Sequence, residues 1–545
     1  MPWENILRAL ETGKMKPIGD TLSAPERVSI AKYLGVESED SIPKSAYCSA
    51  PAASPAKFSG TWSTWGIDSS NSRFQTAEAA GLKKEDVPHL KLKWAFGFPG
   101  VTTSFGSPTV SGGRLFVGSA DGTVYSLDAT TGCIYWTYKA SEGVRTAVVI
   151  DSDGRTAYFG DLHGYVHAVD AKTGAKLWQT RVDDHPLAVV TGTPVLEAGR
   201  LYVPLSGGEE EVSAGNPSVA CCKFRGSIVA LDAHDGKQLW KTFTIAEPAA
   251  MTGRTSAGTE VWGPAGVSVW STPTVDRQSG LLYAGTGVNY TPPATKNSDA
   301  VLAFDMATGQ ITWSQQFIPD DVFNFGCQSM QRANCPEVHG KNWDIGFPPM
   351  LKTLVGGRRL LIVGQKSGVV HALDPDKNGK IVWENKIAKG GTQGGIIWGG
   401  ASDDALAYFS VSDWDPANPE AGGGVFALDI ATGKTVWSTP APKPTCLEMK
   451  GCSAAQPGAV SVIPGVVFAG SLDGHLRAYD TANGAIIWDF DTVRNFKAVD
   501  GVRAHGGSMN GNGPIIAGGM VYSNSGYSRM PVMPGNVLLA FSAGK

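Results

Sequence analysis

A chain of 545 residues with 68 glycines, 33 prolines, 16 tryptophans and only 18% charged residues is long enough for a large core. It is composed like many short strands joined by tight turns, which argues against a helical protein. A formal net charge of -4 with no basic run excludes an electrostatic case for nucleic acid as partner, and no stretch approaches the roughly 18 consecutive apolar residues of a membrane span.

From the N-terminus, helical character is largely confined to the first forty residues. WENILRALETG and SAPERVSIAKYLG each space apolar residues by three and four, the second with Ser23 as cap. The opening Met-Pro-Trp-Glu-Asn is not a secretory signal. The Pro, Ser and Ala run from Ser49 to Pro55 reads as a linker. The expected organisation is a helical segment over 1–45, a linker over 46–61 and one large β domain over 62–545.

Along that domain a short phrase returns: an alternating strand, Asp, a turn with Gly four residues later, and a closing Trp. It reads VYSLDATTGCIYW to Trp136, VHAVDAKTGAKLW to Trp178, IVALDAHDGKQLW to Trp240, VLAFDMATGQITW to Trp313, VFALDIATGKTVW to Trp437 and LRAYDTANGAIIW to Trp488. A seventh copy, VHALDPDKNGKIVW to Trp383, carries one extra residue in its turn. Gly supplies the positive φ of a hairpin turn, so each copy ends one blade of a repeat fold. Upstream of most copies lies a further alternating strand before a Gly-rich turn, as in RLFVGSADG, TAYFGDLHG and VVFAGSLDG. At the C-terminus, MVYSNSGYSRM and NVLLAFSAG supply inner strands with no closing Trp after them. KLKWAF around Trp94 is the missing outer strand, so N-terminal and C-terminal chain close the ring and hide its edges. The predicted fold is all-β, an eight-bladed β-propeller with tryptophan docking motifs plus a short N-terminal helical segment. The blade indoles pack against neighbouring blades and are not ligand-stacking sites.

The eight cysteines fall at Cys48, Cys133, Cys221, Cys222, Cys327, Cys335, Cys446 and Cys452. The short loops between Cys327 and Cys335 and between Cys446 and Cys452 suggest disulfides, hence an oxidising compartment, the periplasm or outside, with a leader expected before Met1. Eight unlinked thiols in a cytosolic protein is the competing reading.

The Trp repeat, the adjacent cysteines, and the phrases GVRTA at 143–147, ACCKFRGSIVALD, SVWSTPTVD and GQKSGVVHALD resemble the pyrroloquinoline quinone (PQQ) alcohol dehydrogenases, from about Trp62 to the end. ACCKFRG after an acidic loop, CP at Cys335 and the ending NSGY with PGNVLLAFS are most similar to the polyvinyl alcohol dehydrogenase branch. The resemblance implies a quinone held between a Trp and a ring closed by neighbouring cysteines. It assigns these roles to Trp270 and to Cys221 and Cys222, although better-known members carry the pair one blade earlier. It assigns the quinone's carboxylates to Arg145, Thr191 and Ser206, and the reactive carbonyl to Lys366; Lys366 as a solvated turn residue is the plainer alternative.

A calcium ion (Ca2+) is implied as well, and hard oxygen donors are what it demands. Glu209 leads as ligand with Glu210 next, while Glu209 to Glu211 read equally as a solvated loop. The expected Asn ligand after GTG meets Val288, with Asn289 one residue later. The general base, an Asp late in a DxWD phrase, meets Asn324 in PDDVFNFGC; a neutral amide cannot serve. Asp321 becomes the expected base, with Asp320 and Asp344 in reserve. If none reaches the substrate, an inactive relative is the consequence.

Near the N-terminus, ALETGKMKPIGDTLSAPERVSIAKYLG resembles the last third of a class I cytochrome c, with Met15 at the place of an axial ligand or simply as a packing residue. No CxxCH occurs, so c-type haem is not attachable to this sequence. The implied activity is oxidation of an alcohol, secondary and polymeric by likeness of branch, with electrons passing to a cytochrome c. The rivals are a non-catalytic propeller scaffold that binds proteins and a quinoprotein oxidising sugars or amino alcohols.

Overall fold

The computed structural model describes residues 3–11, 15–34, 42–49, 60–328 and 332–544, and residues 50–59 of the expected linker lie outside these. Three helices come first: α1 (Trp3–Glu11), α2 (Lys16–Gly19) and α3 (Ala24–Leu34). Ser23 precedes α3, and Glu26 reaches back to accept its N–H at 2.7 Å and its hydroxyl at 2.6 Å, one half of a capping box. Met15 stands at the start of α2, exposed. Among the described residues no helix is long and apolar enough to cross a membrane.

Eight antiparallel blades follow. Blade 1 has strands Thr109–Ser111, Arg114–Gly118, Thr123–Asp128 and Ile134–Lys139 in sequence order across the sheet. Blades 2 to 7 repeat that order over 149–181, 195–243, 274–316, 350–386, 401–439 and 461–491. Blade 8 takes Ile515–Ala517, Met520–Ser525 and Val537–Ala543 from the C-terminus and β1 (Leu90–Gly97) as its outer strand. Trp94 of β1 lies opposite Ala540, so the ring closes as the repeats predict.

The repeat explains how blades dock. In the regular copies the closing Trp faces a small residue on its own blade, as Trp178 faces Ala168 and Trp437 faces Ala427. The indole then crosses to the next blade, where it lies on the turn glycine and donates to the carbonyl just after the turn Asp. Trp136 lies on Gly174 and donates to Ala171 at 3.0 Å; Trp437 lies on Gly484 and donates to Thr481 at 2.7 Å. The glycine is required twice, by its positive φ and by the ring above it. Trp488 donates to Leu90 across the closure at 3.2 Å.

Residues 60–75 form a strap on which successive blades hang. Trp62 exchanges backbone hydrogen bonds with Val110 of blade 1. The carbonyls of Ser63, Ser69, Ser70, Ser72 and Arg73 accept from Ile150, Val275, Leu351, Ser402 and Val462 of blades 2, 4, 5, 6 and 7. Arg73 is fully buried and donates to the carbonyls of Trp65, Val460 and Pro514.

All eight cysteines are bonded: Cys327–Cys335 and Cys446–Cys452 close the two expected loops, Cys221 is joined to Cys222, and Cys48–Cys133 ties the chain before the strap to blade 1.

Candidate functional site

The connections between blades converge on a cavity at the propeller axis, lined by Arg145, Thr191, Trp270, Ser271, Trp398 and Asn512, with Trp65 of the strap. Arg145 follows blade 1, Thr191 blade 2, Trp270 blade 3 and Trp398 blade 5, so no two of these four share a connection. The Arg145 guanidinium lies 4.1 Å from the Trp398 ring centroid. Burial pushes its pKa down, with Tyr527 opposing. Trp270 meets Trp398 edge to face, centroids 5.0 Å apart at 79°, and the Gly346 backbone lies flush on the Trp270 ring where any Cβ would overlap it.

Three buried polar atoms facing this cavity lack a hydrogen-bond partner: Arg145 Nη2, Thr191 Oγ1 and Ser271 Oγ. Buried polar groups left so are costly. Cationic and hydroxyl donors beside two indoles are the chemical complement of a flat polyanion, so the donor set present fits the quinone's carboxylates.

Beside Trp270 stands an acidic cluster around one lysine. Lys366 forms an ion pair with Asp344, and its Nζ is 5.2 Å from the Trp270 centroid. Asp344 Oδ1 also accepts from the Val288 N–H at 2.8 Å, and the Asn342 amide, in the orientation that satisfies its hydrogen bonds, donates to both its oxygens at 3.0 and 3.2 Å. Burial pushes the Glu210 carboxyl well above the usual range, with Asp344 and Glu211 adding and Lys366 opposing. Asp299 is pushed up in the same way by burial, Asp321 and Asp344, again with Lys366 opposing. Both Asp299 oxygens and Glu210 Oε2 have no hydrogen-bond partner. Such oxygens suit a hard cation.

Several expected residues have other work. Asp321 accepts from the backbone N–H groups of Asn342 at 3.2 Å and Trp343 at 2.9 Å; it anchors the segment that presents Asp344, and burial raises its pKa. Asp320 is exposed. Asn324 donates to the carbonyls of Tyr290 and Asn334 and accepts from Gly326, so its amide is a loop tie. Asn289 Oδ1 accepts twice from Thr295, at 2.7 and 3.1 Å, which uses both lone pairs and leaves none for a cation. Glu209 Oε2 accepts from Lys223 and Phe224, each at 2.7 Å. Ser206 is buried opposite Val189 and does not line the cavity. Cys221 and Cys222 are buried with Phe224 and Tyr290 and pair with the strand Glu260–Gly263, and neither lines the cavity.

Arg145, Thr191, Trp270 and Lys366 are thus brought together. Asp344 and Glu210, held in reserve by the sequence, join them, and Asp299 and Trp398 are additions. For Asp344 the signal was present, because Asn342-Trp343-Asp344 ends in the Trp-Asp of the family phrase. Trp398 carried none.

The family model described as outer membrane protein assembly factor BamB matches residues 91–395, 366–495 and 421–544. The chain is 41% identical to a polyvinylalcohol dehydrogenase of Pseudomonas sp over 98% of its own length and 88% of that protein's. It is 40% identical to a polyvinylalcohol dehydrogenase of Sphingopyxis sp. (strain 113P3), over 99% and 88%. Among solved structures, a europium-containing methanol dehydrogenase matches with a TM-score of 0.65 at 18% identity, covering 89% of this chain and 98% of that one.

Proposed function

The chain belongs to the pyrroloquinoline quinone-dependent alcohol dehydrogenases as a homologue of the polyvinyl alcohol dehydrogenases, and on that premise we propose that it oxidises secondary alcohols, polymeric ones included, and passes electrons to a cytochrome c. The observation that carries the site assignment is the set of orphaned donors in the cavity that Trp270 and Trp398 also line, next to the Asp344–Lys366 pair.

Arg145 and Thr191 would hold carboxylates of the quinone and Ser271 a further oxygen, with Trp270 beneath the ring. When bound, the quinone supplies the hydride acceptor and a calcium ion the Lewis acid. Glu210 and Asp344 would offer oxygen to that cation, with Asp299 adding negative charge beside them. Asp344 is the group for the alcohol proton because it stands with Lys366 beside Trp270, while Asp321 holds the backbone of Asn342 and Trp343 and so supports the segment that carries it. Lys366 stands beside Asp344 and offers a cationic donor where negative charge develops.

Four disulfides support a periplasmic setting. We read residues 3–34, whose sequence resembles the end of a cytochrome c, as the side from which electrons leave.

The test is reconstitution with PQQ and calcium, followed by dye reduction with 2-butanol, 1-butanol and polyvinyl alcohol, then by cytochrome c reduction. Turnover with the secondary and polymeric alcohols is expected. Turnover with 1-butanol alone would overturn the substrate reading, and dye reduction without cytochrome c reduction the acceptor reading.

A further inference from the structure

The three consecutive glutamates do three different things. They open a short helical turn, Glu209–Val212, on which successive side chains point about 100° apart. Glu211 pairs with Arg529 at 3.6 Å. Glu210 turns inward, its Oε2 buried without a hydrogen-bond partner and within reach of the charges of Asp344 and Lys366. Glu209 turns to the chain just after the cysteine pair, where one oxygen receives both the Lys223 and the Phe224 N–H.

The ring closed by Cys221 and Cys222 is gripped from its other side. Cys221 donates to the Glu260 carbonyl at 3.3 Å and accepts from the Trp262 N–H at 2.9 Å, while Cys222 donates to the Trp262 carbonyl at 3.2 Å. Beyond it, Phe224 packs on the Gly207 backbone and stacks on Tyr290, centroids 6.3 Å apart. The Tyr290 hydroxyl donates to the Gly207 carbonyl at 3.2 Å, three residues before Glu210. A closed path therefore runs from the ring through Glu209 to the helical turn, and back through Phe224 and Tyr290.

We propose that Glu209 and the Cys221–Cys222 ring form a clamp that positions Glu210 in the cation site, the ring acting as a brace and not as a stacking surface for the quinone. Closing a ring between neighbouring residues restricts the chain there, so the next two N–H groups leave it in fixed directions. The Glu209 carboxylate is buried and takes both, which fixes the helical turn against the brace. The proposal rests on reading Glu210 as a cation ligand, and the experiment separates the two claims.

Calcium alone is titrated calorimetrically into the protein reconstituted with PQQ, for wild type, E209A, E209Q, E210Q and C221A/C222A. E209A and C221A/C222A are expected to bind calcium about 10- to 100-fold more weakly, the usual loss when a supporting partner of a ligand goes. E209Q keeps most of the affinity, because an amide oxygen still accepts both N–H groups. Excess calcium restores turnover to E209A and not to E210Q. At saturating calcium the quinone affinity of C221A/C222A stays at the wild-type value, which a stacking role would not allow. Unchanged calcium affinity in E209A and C221A/C222A, with affinity lost in E210Q, overturns the clamp. Unchanged affinity in E210Q overturns the ligand reading beneath it. Should E209A not fold, E209D keeps the charge, shortens the reach and carries the same test.

Discussion

The rim of the propeller and its axis are built from the same blades and differ in how they treat polar atoms. At the rim seven of the eight docking indoles donate to a carbonyl of the next blade, and the turn Asp of a regular copy accepts from the turn itself, as Asp305 does from Ala307 and Thr308. At the axis Arg145, Thr191, Ser271 and Asp299 each bury atoms with no partner. Apart from Trp313, the docking indoles of the rim are satisfied by protein, whereas the axis is complete only with something else in it. Unpaired donors with unpaired carboxylates nearby are a binding site's signature because folding alone gives no reason to keep them.

The sharpest way to break this contrast is D344N. If Asp344 takes the alcohol proton, kcat falls by about 10²- to 10⁴-fold while quinone binding stays near wild type, and the melting temperature falls because Lys366 loses the carboxylate it pairs with. The measurement is dye-coupled turnover alongside quinone titration, and a loss under about tenfold would return the base to another carboxylate.

Inside blade 5 a buried histidine makes stability depend on acid pH. His371 is buried in blade 5 against Phe317, centroids 3.9 Å apart, with Nδ1 2.7 Å from Glu384. Burial lowers its pKa to about 4, with Glu384 opposing. The folded value lies below the ordinary 6.5, so at acid pH the unfolded chain binds a proton that the folded chain does not. The associated stability is whole above about pH 6.5 and is lost as pH falls towards about 4. The bound is about 3 kcal/mol, from 1.36 kcal/mol per pKa unit. Unfolding in denaturant between pH 7 and 4 is expected to show a slope that H371Q flattens; an equal slope in H371Q would place the acid limit elsewhere.

The rim was legible in the sequence because the six regular copies carry Asp, Gly and Trp within nine residues. Even closure by Trp94 could be read, since a missing outer strand needed a partner. The axis was legible only where a single residue type could answer. Arg145, Trp270 and Lys366 sit in distinctive phrases, but Glu209, Glu210 and Glu211 are indistinguishable until a helical turn sends them apart. Asp321 and Asp344 are 23 positions apart in sequence, and only the fold shows one anchoring the segment that carries the other. The strap over 60–75 works through backbone carbonyls, which leave no pattern in side chains. Cys48–Cys133 spans 85 residues and has no local signal.

R145M sharpens the contrast from the side of stability. It removes a half-buried cation whose buried Nη2 is unpaired and which a ligand would complete. Quinone affinity is expected to fall by about 2 kcal/mol, the worth of a charge-assisted hydrogen bond. The protein without quinone should be more stable, by about 1 kcal/mol. Isothermal titration and chemical unfolding of the quinone-free protein read the two, and equal destabilisation with and without quinone would make Arg145 an ordinary part of the core.

The smallest effect tests the rim against itself. Trp313 is the one docking indole whose Nε1 has no partner, and it faces the copy with the extra turn residue. That residue turns Pro375–Lys377 into a 3-10 helix, at the place where other blades present the accepting carbonyl. Trp313 still lies on Gly379, so its packing is kept and only its hydrogen bond is missing. Replacing each indole by Phe removes similar packing, but W437F also orphans the Thr481 carbonyl, which accepts at 2.7 Å. W437F should therefore cost about 1 kcal/mol more than W313F in chemical unfolding. Equal losses would mean that the blades are held by ring packing alone and that the carbonyl contact at the other docking sites adds nothing to it.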